Sequence, residues 1–117
     1  MRIRKKQISF LDEQQSATYE LRLAKFLQEQ FSDAAQEPLV KLRPEVSVQI
    51  EKAHGYGLVS EQDIADYAVT AWLLGADFDT EFPAAKEVLT SQIPGEMKAR
   101  FLEEWTKEMF ETLEEHH

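Results

Sequence analysis

The sequence predicts an all-α protein: a single compact bundle of about five or six helices spanning residues 1–117. Three observations predict it. Apolar residues recur at three- and four-residue intervals rather than in alternation. Prolines and glycines fall between these periodic stretches, where helices start and stop. Only Val46 and Val48 offer the period-two pattern of a strand, and the proline before them and the i, i+4 pair Val46 and Ile50 favour a helix there, so no strand is predicted.

The elements follow in order. A first helix is expected from about Lys6 to Gln30, with Tyr19, Leu23, Phe26 and Leu27 on its buried stripe. Phe31–Pro38 interrupts it. Pro38 suits the first turn of a short helix holding Leu39, Val40 and Leu42, and Pro44 suits the start of another. Val46, Ile50 and Ala53 share a face of that second helix, which should end at Gly55 or Gly57 through a left-handed glycine cap. Ser60 is a favoured N-cap for a helix running to Leu74, and Asp63 stands at the capping-box position. Beyond Tyr67 this helix is apolar nearly all round, so it should be the central element, and Gly75 stops it. Pro83 opens a short helix with Ala84, Val88 and Leu89. The last helix is expected from Pro94 to Glu114. Met97, Phe101, Trp105, Met109 and Leu113 recur along it every four residues, and Leu102 and Phe110 lie at the edge if that row faces the core.

Composition narrows the function. The formal net charge of −9 argues against nucleic acid as a partner, because binding phosphates requires basic surface. No apolar run approaches the roughly 18 residues of a bilayer span, so no membrane role is expected. Residues 1–6 are basic but no apolar stretch of a signal peptide follows, and the expected location is cytoplasmic. The absence of cysteine removes disulfides, thiol catalysis and thiolate metal sites. The basic start and the glutamate-rich end could meet within one chain or across a homodimer. His116 and His117 are either native or the stub of a purification tag, and in neither case ligands.

No constellation of residues points to catalysis, a cofactor or a metal. Asp77-Phe-Asp79-Thr-Glu81 begins like a calcium loop. Phe82 stands where that loop needs its glycine and Val88 where it needs its final glutamate. A connector is the better reading, with Asp79 or Thr80 capping the next helix. His54 has neither an orienting acid nor a nucleophile imposed by spacing. Gly55-Tyr-Gly57 lacks the pattern of a phosphate loop and reads as a turn. Phe78 and Phe82 are large aromatics in an acidic connector, so they either anchor it on the core or touch a partner. The candidate partner-binding residues are Tyr56, Asp77, Phe78, Asp79, Phe82 and Phe110.

One pattern goes further. Tyr56-Gly-Leu-Val-Ser-Glu-Gln-Asp63 has the form Y-G-[LIV]-x-[ST]-E-x-D, and an aromatic, apolar helix separates it from Gly75-Ala-Asp-Phe-Asp79, of the form G-x-D-F-D. Ile3-Arg-Lys-Lys-Gln7 supplies an I-R-x-x-Q start. Together these resemble a group of small bacterial helical proteins encoded beside type VI secretion genes for spike proteins, adaptors and toxic effectors. The resemblance brings no catalytic residues. It implies a non-enzymatic accessory role, chaperone- or adaptor-like, in binding a toxin effector or spike component. The alternative is an immunity protein that inhibits a cognate toxin by direct binding.

Overall fold

A computed structural model describes residues 13–115, and the described residues form seven helices and no strand. They are α1 (Glu13–Gln30), α2 (Ser32–Ala35), α3 (Leu39–Gly55), α4 (Glu61–Leu74), α5 (Phe78–Glu81), α6 (Pro83–Leu89) and α7 (Gly95–Glu115). The expected start of the first helix, the basic segment 1–6 and the closing histidines lie outside the described residues. The all-α bundle is as expected, with one helix more than the upper estimate.

The difference arises at prolines and short connectors. The two helices expected at Pro38 and Pro44 are one, α3, with Pro44 inside it. Pro44 has no N–H to offer the Val40 carbonyl. Both residues are exposed, so that carbonyl meets water rather than an apolar core. Leu42, Val46, Gln49 and Ala53 meanwhile keep one buried face continuous through the break. Two connectors contain single-turn helices, α2 and α5, that no periodicity could reveal in four residues.

Helix α4 is the centre: α3 and α7 pack on it, and α1 and α5 touch it. Ile64, Tyr67, Ala68, Thr70 and Ala71 are buried along it. Its start is held as the sequence suggests, with the Ser60 side chain accepting from the Asp63 N–H at 3.0 Å. The end of α3 is also as expected. Gly57 has φ +94°, the Leu58 N–H reaches the Ala53 carbonyl and the Gly57 N–H reaches that of His54. This is a Schellman cap, and its hydrophobic member, Leu58, is fully buried. The first residue of α7, Gly95, crosses this turn so closely that a Cβ there would collide with the Gly57 carbonyl.

Two stripes are rotated from their expected positions. On α1 the buried set is Tyr19, Leu23, Ala24 and Leu27, and Phe26 is exposed. On α7 the centre of the interface is Ala99, Leu102 and Thr106, Phe101 and Trp105 flank it, and Met97 is exposed. A row spaced by four residues advances about 40° around the helix at each step, so five members cannot share one face.

Charged side chains join the helices at their ends. Arg22 on α1 grips the buried Glu61 carboxylate at 2.9 and 3.2 Å, and the Tyr19 hydroxyl donates to the Glu61 carbonyl at 2.7 Å. Lys98, buried on α7, donates to the carbonyls of Tyr56 and Leu89 at 2.8 and 2.7 Å. Its ammonium thereby covers the negative ends of α3 and α6.

Candidate functional site

Five of the six candidate residues gather at one end of the bundle, where α3 ends and α5 begins. The Asp79 carboxylate is 3% exposed. It accepts from Lys52 Nζ at 2.9 Å and from the Tyr56 hydroxyl at 2.7 Å. Lys52 also donates to the Ala76 carbonyl and lies 3.5 Å from the exposed carboxylate of Asp77. Burial works against the charged form of Asp79, but these two hydrogen bonds and the Lys52 charge outweigh it and hold its carboxyl below the usual range. Burial, then the bond to Asp79, pushes the Tyr56 hydroxyl up to about 12.

Behind this network runs a chain of rings. Tyr67 packs on Phe78 at 4.9 Å between centroids, and Phe78 on Trp105 at 6.3 Å. Phe82 meets Trp105 edge-on at 5.3 Å, and Phe101 stacks on its other side at 5.8 Å. Phe78 is fully buried and anchors the connector, so its ring offers nothing to a partner. Asp79 caps no helix. It lies within α5, and α6 begins at Phe82 and Pro83 with no side-chain cap. Of the group, Asp77 is exposed, and Tyr56 and Phe82 show one edge.

The sixth candidate, Phe110, is 40% exposed and far along α7. It borders a shallow cleft between α4 and α7 with Asp66, Val69, Leu73 and Glu103. At its base the Thr70 and Thr106 hydroxyls hydrogen-bond at 2.8 Å. Burial, followed by the nearby Glu103 and Asp63 charges, pushes the Asp66 carboxyl up to about 7.

A third feature is absent from the sequence expectations. An open cleft of about 450 Å³ lies between α1–α2, α3 and α4. Leu27, Leu42 and Val46 form its floor, and Ala68, Ala71, Gly75 and Ala76 line one side. Asp33, Glu45, Val48 and Trp72 surround it, and the Trp72 Nε1–H donates to Asp33 Oδ1 at 3.1 Å. Gln49, which also lines it, is 7% exposed. Its amide N–H reaches the Ala76 carbonyl only at 3.4 Å, and its Oε1 has no partner among the described residues. A buried acceptor left unpaired costs about 1–3 kcal/mol. The sequence did carry a trace of this cleft. Small residues at 68, 71, 75 and 76 repeat at helical spacing beside Trp72, and Val48 stands off the buried stripe of α3.

The chemistry available differs among the three places. The Lys52–Tyr56–Asp79 network satisfies its own members and ties α3 to α5. Asp66 can hold or release a proton near neutrality. The α1–α3–α4 cleft offers apolar surface, an acidic border and one unused acceptor. Among the described residues, no group of three or more histidine, aspartate or glutamate side chains is placed to hold a metal ion. None of the described helices is long and apolar enough to cross a membrane. Comparisons with protein families, with curated proteins and with solved structures find no match for this chain.

Proposed function

We propose that this protein is a non-enzymatic accessory protein that binds another protein, a secreted toxin effector or a component of the secretion spike, and holds it in the cytoplasm before delivery. The observation that carries the reading is the open apolar cleft between α1, α3 and α4, with Trp72 in its wall and no basic residue lining it among the described residues. Clefts of this kind take side chains from a partner without any group that breaks or makes bonds. The resemblance of Tyr56–Asp63 and Gly75–Asp79 to secretion-associated helical proteins supports the choice of partner. Of those residues, Tyr56, Phe78 and Asp79 close the fold at the α3–α5 end and keep α3 and α4 fixed, while Gly75 and Ala76 line the cleft.

The test is co-expression with a toxin effector encoded beside this gene. The expected result is co-purification of the two proteins and a larger soluble fraction of the effector. Recovery of the effector alone, with unchanged solubility, would sink the reading. The net charge of −9 favours a second reading, an immunity protein seated on the basic substrate groove of a nuclease toxin. Protection of cells from the toxin in trans, without the secretion apparatus, would select it.

A further inference from the structure

Resting on that binding role, we infer that the α1–α3–α4 cleft is a docking groove for a short basic amphipathic helix of the partner. Its apolar side chains enter the trough, and its lysines or arginines face Asp33 and Glu45.

Four observations carry this. The lining runs from Leu42 to Gln49 on α3, from Ala68 to Trp72 on α4 and on to Gly75 and Ala76 just past its end. The α3 stretch covers about 11 Å at 1.5 Å per residue, the length over which a helix presents anchors at i, i+3 or i+4, and i+7. Ala68, Ala71, Gly75 and Ala76 keep the trough empty, while Val48, 52% exposed, extends apolar surface to its rim. Among the described residues, the charged ones lining the cleft are Asp33 and Glu45, with no lysine or arginine, so a basic segment is attracted and an acidic one repelled. Finally, the buried Oε1 of Gln49 lacks a donor among the described residues, and a lysine or arginine at the end of an apolar stem brings one.

The probes are an 18-residue helical peptide with leucine on one face and lysine on the other, and the same peptide with glutamate replacing lysine. Fluorescence anisotropy with the full chain should show one lysine peptide bound per protein and much weaker binding of the glutamate version. Ala71→Trp fills the trough, and Val48→Lys sets a like charge on the rim without touching the core. Each should weaken the lysine peptide about tenfold, with folding confirmed by circular dichroism. Met97→Ala, exposed on α7, should leave binding unchanged.

The proposal is overturned if the lysine peptide does not bind, if the glutamate peptide binds equally, or if both cleft variants bind like the parent. It is also overturned if a peptide of residues 1–11 binds more tightly than the lysine probe, which would make the occupant this chain's own basic start. Self-association abolished by Ala71→Trp would overturn it in favour of a second copy. Co-expression separates the two levels. An effector that co-purifies equally with both cleft variants refutes the groove and leaves the binding role standing. An effector that never co-purifies, beside a peptide that binds at the cleft, refutes the secretion role and leaves the groove standing.

Discussion

At the junction of α3, α4 and α5, Lys52, Tyr56 and Asp79 pair with one another in front of a stack of aromatic rings. Along the same two helices, toward α1, alanines and a glycine face a trough bordered by two carboxylates and floored beside an unpaired amide oxygen. The junction is filled, although the buried Tyr67 hydroxyl finds no partner among the described residues, whereas the cleft is open and unfilled. Tyr56, Phe78 and Asp79 of the patterned segments belong to the first place, whereas Gly75 and Ala76 line the second. The aromatic and acidic motif residues therefore mark where this fold is closed, and the surface left for binding lies where the packing is unfinished.

The largest expected effect comes from emptying the junction. Phe78→Ala removes a fully buried ring between Tyr67 and Trp105 and should cost about 3–5 kcal/mol, read as a lower urea midpoint at unchanged slope. A loss under about 1 kcal/mol would show that the junction is not the rigid half.

Next is the ion pair. Asp79→Asn should cost about 2 kcal/mol, since it leaves the Lys52 ammonium without its buried partner while part of that side chain still reaches water. The folded carboxyl lies below its unfolded value. Its contribution is therefore complete above about pH 4 and lost as pH falls through the folded value. Acid unfolding of the parent should be steeper than that of the variant.

Asp66 has the opposite sign. Its folded value is raised to about 7, so the folded state holds the proton more tightly and the penalty for ionisation grows as pH rises. That penalty is absent below about pH 4 and complete above about pH 7. Partial solvent access screens it, and Asp66→Asn should gain about 1–2 kcal/mol at pH 8 and almost nothing at pH 4. A gain independent of pH, in thermal melts across that range, would assign the effect to another cause.

The smallest effect tests the cleft itself. Gln49→Met removes the unpaired oxygen, and Lys52 still serves the Ala76 carbonyl. Stability should stay level or rise by up to about 1 kcal/mol. A loss of several kcal/mol would mean that Gln49 is part of the closed half.

The sequence by itself determined the helical class, the cap at Ser60, the glycine turn after α3 and the central place of α4. These follow from local chemistry, namely a hydroxyl before a helix, a glycine able to adopt positive φ, and an apolar run with no polar side. Tertiary contact decided the rest. Whether Pro44 ends a helix depended on which face the Val40 carbonyl, left without its N–H, lay on. The inner face of α7 depended on which members of a drifting row reached α4. Phe78 and Asp79, which the sequence leaves in an acidic connector, were assigned to the interior by Tyr67 and Lys52, neighbours brought together only by folding. The cleft belonged mostly to this second level: the small residues beside Trp72 left only a trace of it in the sequence, because an unfilled space is a relation among helices and no one segment encodes it.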